Sequence, residues 1–235
     1  MIHRSSPNFD HRPNGATPGL LVIHYTGMAS CAAALDRLCD PAAKVSAHYA
    51  IDEDGGVYAL VDEGQRAWHA GAACWRGVRD VNGRSIGIEL VNPGHELGYR
   101  EFPEGQMAAL IELAGEIVTR HSIPAVGVVG HSDVAPARRK DPGELFDWGR
   151  LAAAGIGLWP GELGGAGAAE IEIAAVQEKL GRLGYGIEVS GIFDAATEAV
   201  VTAFQRHFRQ DRVDGVADGE ALAILDDLLR QIAAV

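Results

Sequence analysis

Leu20-Leu21-Val22-Ile23-His24-Tyr25 is the stretch on which the fold turns. It is short, apolar and β-branched, which predicts a strand. Strand side chains alternate, so His24 shares a face with Leu20 and Val22. Ala47–Ile51, Val57–Leu60, Ser85–Val91 and Val126–Gly130 read as strands by the same criteria. Asp54-Gly55-Gly56 supplies a hairpin turn between the second and third. Helices are predicted over Ser30–Leu38 and Gln106–His121. The second carries Met107, Leu110, Ile111, Ala114, Ile117 and Val118 as a core-facing stripe at helical spacing, and Ile123-Pro124 stops it. Strands and helices mixed in this way predict an α/β domain, a sheet with helices on its faces.

Outward from that domain the chain changes character. Residues 161–169 are rich in Gly and Ala without periodicity, the composition of a flexible linker. Beyond it the pattern is helical. Ile171–Leu183 carries Val176, Leu180 and Leu183 on one stripe, and Gly184 ends it. Asp194 and Asp218 are placed to cap Ala195–Arg209 and Gly219–Ile232 by accepting from free N–H groups of the first turn. Residues 170–235 are therefore expected to form a small three-helix domain, and residues 19–160 the larger one. Residues 1–18 are polar and rich in Pro, Asn and His, and read as an extended arm on the surface.

Composition removes several classes of function. The 235 residues are 47% hydrophobic and 22% charged, values of a folded globular protein rather than a disordered one. The net charge of -12 falls as -5 up to Pro160 and -7 beyond it, so neither part is a basic module for nucleic acid. No apolar run approaches the length of a membrane span. Cys31, Cys39 and Cys74 are odd in number and form no CxxC pair, which leans towards a reducing compartment. The amino-terminal residues carry no apolar core of a Sec signal peptide, so a cytoplasmic location is expected, with export the alternative that the helical tail keeps open. Eight of the nine His and all four Trp precede Pro160, so chemistry is to be sought there.

His24 ends one predicted strand and His131 another, the latter opening His131-Ser132-Asp133-Val134-Ala135-Pro136-Ala137-Arg138-Arg139-Lys140-Asp141-Pro142-Gly143. Two imidazoles and a carboxylate from this Pro-bounded loop would make a Zn²⁺ site with an open fourth position, although no HExxH or CxxC spacing is present. Glu89 sits inside the apolar strand Ser85-Ile86-Gly87-Ile88-Glu89-Leu90-Val91, on the face of Ser85 and Gly87. A carboxylate there is either paired with an Arg or used as a base with a raised pKa. Gly87 beside it leaves room for a ligand or metal.

Val22-Ile23-His24-Tyr25-Thr26, Trp68-His69-Ala70-Gly71, Ser85-Ile86-Gly87-Ile88-Glu89 and the His131–Gly143 segment together resemble the zinc-dependent N-acetylmuramoyl-L-alanine amidases of type 2. That family includes the AmpD-type recycling amidases and shares its fold with the peptidoglycan recognition proteins. The resemblance covers about Gly19 to Pro160. Val176-Gln177, Leu183-Gly184-Tyr185, Gly191-Ile192-Phe193-Asp194 and Phe204-Gln205 resemble a three-helix peptidoglycan-binding module.

The resemblance implies a central mixed sheet flanked by helices, a bound Zn²⁺, and a muropeptide or peptidoglycan substrate. The family's ligands fall on His24, His131 and Asp141, and its catalytic glutamate on Glu89. The position where the family usually has an oxyanion-stabilising lysine is Arg139, with Lys140 next to it, so either cation can take that role. His69, Trp68 and Lys140 are candidates for the substrate groove. His48 reads as structural, Trp68 and Trp75 as sugar platforms or core, and Asp133 as a hydrogen-bond acceptor in its loop. The implied reaction is hydrolysis of the amide between the lactyl group of N-acetylmuramic acid, in its intact or 1,6-anhydro form, and L-alanine. A non-catalytic recognition protein of the same fold, or a zinc peptidase acting within the stem peptide, are the competing readings. The helical tail is either a wall-binding module or a structural cap.

Overall fold

A computed structural model describes residues 1–13, 15–161 and 171–234. Its centre is a six-stranded mixed sheet built from β1 (Ile2–His3), β3 (Leu20–Tyr25), β4 (Tyr49–Ile51), β5 (Val57–Ala59), β7 (Ser85–Leu90) and β8 (Val128–Gly130), in the order β1-β5-β4-β7-β3-β8. β3 pairs in parallel with both β7 and β8, and β7 with β4. β4 and β5 form the antiparallel hairpin expected from Asp54-Gly55-Gly56. A second, two-stranded sheet joins β2 (Phe9–His11) to β6 (Gln65–Ala67).

Alternation along β3 divides the core. Leu21 and Ile23 join Ile86, Ile88 and Leu90 of β7 under α4 (Glu104–His121), while Leu20 and Val22 face the other way. α4 is bolted to the sheet by Gln106, whose Nε2 donates to the carbonyls of Ile51 at 2.9 Å and Val91 at 3.0 Å. α1 (Cys31–Cys39) starts at Ser30, whose hydroxyl accepts from Ala33 N. Three short helices flank the later strands: α2 (Val81–Arg84) precedes β7, α3 (Gly94–Leu97) follows it, and α5 (His131–Val134) follows β8. α6 (Trp148–Ala153) follows the His131–Gly143 segment.

Two predicted strands begin late for local reasons. His48 Nδ1 accepts the Gly87 N–H at 2.9 Å, so a side chain stands where a ladder carbonyl would, and β4 starts at Tyr49. Pro124 opens a 3₁₀ turn over Ala125–Gly127, so β8 starts at Val128. The amino-terminal residues supply β1 and β2. Arg12 reaches inward to the carbonyls of Glu63, Gly83 and Ser85 and to His48.

The expected linker, 161–169, lies outside the described residues apart from Gly161. Beyond it come α7 (Ile173–Leu183), α8 (Ala195–Phe208) and α9 (Gly219–Ala233), with Asp194 and Asp218 capping the last two at 2.8 and 2.9 Å. One device occurs twice. Gln177 on α7 accepts from Ser190 and Gly191 N and donates to Ile192 O; Gln205 on α8 accepts from Asp214 and Gly215 N and donates to Val216 O. Each buried amide braces the turn that leads into the next helix, at Gly191 and Gly215, both with positive φ. The helices do not stand apart from the sheet domain: Val176, Leu183, Tyr185 and Phe204 share one continuous core with Leu20, Val22, Trp75 and Val134. Among the described residues no helix is long and apolar enough to cross a membrane.

Candidate metal centre

Register in the sheet assembles the site. His24 and Glu89 are direct neighbours across the parallel β3–β7 pair. Gly130 lies opposite Ile23 across β3–β8, so His131 emerges beside His24. All three side chains stand at the carboxyl ends of parallel strands, where open α/β sheets bind their ligands. Asp141 is returned to the same spot by the loop after α5, held by the Ser132 N–H donating to the Asp141 carbonyl at 2.9 Å. Arg138 pins that loop from outside through the carbonyls of Ala70 and Ala72, at 2.9 and 2.5 Å.

His24 Nδ1, His131 Nδ1 and Asp141 Oδ2 form a triangle with every side 3.0 Å. All three residues are buried, and together they form a group that could hold a metal ion. The opposite ring nitrogens show which tautomers are present. His131 Nε2–H donates to Ala70 O at 3.1 Å. His24 Nε2 lies 3.0 Å from His69 Nδ1, His69 Nε2 lies 3.1 Å from Ser85 Oγ, and Ser85 Oγ lies 2.6 Å from Val81 O. A carbonyl can only accept, so Ser85 donates to it, His69 donates to Ser85, and His24 donates to His69. When the rings are neutral, these donations leave both Nδ1 lone pairs facing Asp141. Burial, with His131 next, lowers the His24 pKa to about 4, and burial holds His69 well below the usual imidazole range. Burial opposes ionisation of Asp141, but His131 and His24 outweigh it and keep its pKa below the usual carboxylate range. Two imidazole Nδ1 atoms and one carboxylate oxygen are a donor set that fits a divalent cation.

Glu89 stands beside this triangle without joining it. Its Oε2 is buried and has no hydrogen-bond partner. Burial, reinforced by Asp141, pushes its pKa well above the usual range; Arg139 opposes the shift. The Arg-paired reading of this carboxylate therefore has no direct contact to support it. Outside lies a cleft of about 590 Å³, lined among others by Tyr25, Trp68, His95, Arg139 and Lys140.

The remaining sequence candidates separate. His69 borders the cleft, but its ring turns inward to support His24. His48 is buried between Gly87 N, Arg12 and Gln65 O. Trp75 is buried against Tyr185 of the tail, so of the two Trp only Trp68 borders the cleft. Gly87 leaves room for the His69 ring rather than for a ligand: a Cβ there would meet three ring atoms at 2.6 to 2.7 Å. Gly87→Ala is accordingly expected to displace His69 and weaken metal binding by about 10- to 100-fold, as loss of a supporting partner typically does. Chelator competition would measure it. The sequence reading missed Tyr25, whose hydroxyl lies 2.9 Å from His95 Nδ1, and Glu144, which His95 Nε2 meets at 3.2 Å. Their only signal is adjacency to His24 and Asp141.

Fold and donor set together define a hydrolase-like site: a pocket with three donor atoms that could hold a metal ion and an unpartnered carboxyl oxygen at its edge. Residues 14–144 match the family model described as N-acetylmuramoyl-L-alanine amidase, and residues 170–225 match one for a peptidoglycan binding domain. The chain belongs to the N-acetylmuramoyl-L-alanine amidase family. It is 37% identical to the Escherichia coli amidase AmiD over 90% of this chain and 82% of that protein. It is 34% identical to the Citrobacter freundii 1,6-anhydro-N-acetylmuramyl-L-alanine amidase AmpD, over 63% of this chain and 86% of that one. Among solved structures, E. coli AmiD in complex with anhydro-N-acetylmuramic acid-L-Ala-D-γ-Glu-L-Lys superposes with a TM-score of 0.83 at 36% identity, covering 94% of this chain and 93% of that one. AmpDh3 of Pseudomonas aeruginosa in complex with anhydromuramic pentapeptide gives 0.81 at 30% identity, covering 97% and 96%.

Proposed function

We propose that this amidase hydrolyses the amide between N-acetylmuramic acid, in its 1,6-anhydro form, and the L-alanine of the stem peptide, with Zn²⁺ held by His24, His131 and Asp141. The observation that carries the reading is Glu89, half-buried at the cleft with its buried Oε2 unpartnered, beside three donor atoms that could hold a metal ion. Similarity over most of the chain to AmiD, and to structures containing anhydromuropeptides, supports the substrate class.

Zinc, when bound, supplies Lewis-acid polarisation of the amide carbonyl and acidifies the attacking water. The chain's own residues do the rest. Glu89, with a raised pKa and no competing partner, takes a proton from water and delivers it to the leaving L-alanine nitrogen. His69 and Ser85 hold the His24 ring in the tautomer whose Nδ1 is free. Arg139 faces the developing oxyanion. Of the two candidate cations, Arg139 is the one whose charge acts on both Glu89 and His24, which favours it over Lys140.

Arg139→Ala should lower kcat by about 10²–10³-fold. KM should rise much less, because the oxyanion exists only near the transition state. Arg139→Lys should keep much of the activity, and Lys140→Ala should stay near wild type. If instead Lys140→Ala abolishes turnover and Arg139→Ala is silent, the roles are displaced by one residue and Lys140 is the stabiliser.

Mass spectrometry of digests of soluble anhydro-muropeptides and of intact sacculi tests the reaction itself. Free peptide plus intact sugar is expected. Cleavage inside the stem peptide would make the protein a peptidase, and binding without products a recognition protein. The free thiols Cys31, Cys39 and Cys74 support action in the cytoplasm, on soluble wall fragments. Fractionation that finds the native protein in the periplasm or medium would overturn that location.

A further inference from the structure

Asp133 lies two residues beyond His131 and is fully buried. A buried carboxylate is costly unless its oxygens are satisfied. Three donors satisfy this one, and two of them come from the helical tail. Tyr185 Oη donates to Oδ1 at 2.7 Å, His207 Nδ1 donates to Oδ2 at 2.7 Å, and the Gly130 N–H donates to Oδ2 at 2.7 Å. The His207 ring is stacked between Trp148, with centroids 3.7 Å apart, and Phe208, at 3.8 Å, which fixes the direction of its Nδ1–H. Tyr185 is set edge-on against Trp75 with centroids 4.9 Å apart.

The anchored element is short. α5 has four residues, the first of which is His131. Asp133 grips the backbone N–H just before His131, and the next residue's N–H, on Ser132, donates to the Asp141 carbonyl. The turn held by the tail is thus the turn from which two of the three metal-facing residues take their positions. A four-residue helix has no cooperativity of its own to hold it.

We propose that Tyr185 and His207 are positioning residues of the metal centre: the C-terminal helices clamp Asp133 and through it set His131 and Asp141. The tail is then part of the catalytic unit as well as any surface it offers to the wall. This inference rests on the metal-site reading above.

The test uses the full chain, with zinc affinity from chelator competition, the visible spectrum of the Co²⁺-substituted protein, and thermal unfolding of the metal-free protein. Tyr185→Phe removes one oxygen. His207→Phe keeps a stacked ring and removes the donor, and His207→Asn keeps a donor near the Nδ1 position. Tyr185→Phe and His207→Phe should each weaken zinc binding by about tenfold or more and change the Co²⁺ spectrum, with His207→Asn restoring both towards wild type. Variants that unfold at lower temperature but keep wild-type zinc affinity and Co²⁺ spectrum would make the tail a structural cap and overturn the inference alone. A wild-type protein that binds no zinc would overturn the metal-site reading and this inference with it.

Discussion

Glu89→Gln is expected to lower kcat by about 10²–10⁴-fold while leaving zinc in place, because the amide can neither accept nor deliver the proton. The same substitution should stabilise the metal-free protein. Burial and Asp141 hold the Glu89 carboxyl well above its ordinary value of 4.5. Between that value and the raised one, the unfolded chain has released a proton that the folded chain keeps. Stability therefore falls as pH rises through that window, and the whole penalty is present above it. Gln carries no such penalty. Metal-free wild type and variant should unfold at similar temperatures below about pH 4, and the variant at the higher temperature near neutrality. Thermal unfolding at both pH values, beside metal analysis and steady-state rates, measures all three. A variant that loses its zinc, or that is no more stable near neutrality, would mean that Glu89 is a ligand or that its charge is well solvated.

That trade of stability for proton transfer was partly legible in the residues. A carboxylate in Ser85-Ile86-Gly87-Ile88-Glu89-Leu90 stands out because period-two alternation assigns every other residue of that strand to a face, and β7 divides on those faces. β3 spans Leu20–Tyr25 as its apolar run predicts, with His24 on the face of Leu20 and Val22. What periodicity cannot carry is the pairing of distant segments. β1 and β2 have two and three residues, too few to show a period, and form only because β5 and β6 offer open edges. The His69 ring bonded to Ser85 and packed above Gly87, and the Tyr185 and His207 donors on Asp133, join residues 16, 18, 52 and 74 positions apart. All but the fit over Gly87 are polar groups completing another's hydrogen bonding across the fold, and single-segment patterns leave no trace of any of them. Gly87 shows the difference: its small size was readable, but the ring that fills the space was not.

His131→Ala should remove both the metal and the activity. With His131 gone, only His24 and Asp141 remain, and two donors hold a divalent cation far more weakly than three. Metal content should fall from about one zinc per chain towards none. The rate should fall at least as far as in Glu89→Gln, because the electrophile and the acidified water are lost together. The two substitutions act on one step, so the double variant should be little worse than His131→Ala alone. If the losses instead multiplied, Glu89 would be working independently of the metal, as in a purely electrostatic or binding role. His24→Ala and Asp141→Ala are expected to behave like His131→Ala, since the three ligand atoms are mutually equidistant at 3.0 Å. Metal analysis after dialysis, with rates measured on a soluble anhydro-muropeptide, decides it. Full zinc occupancy in His131→Ala would remove His131 from the ligand set and with it the proposed metal centre.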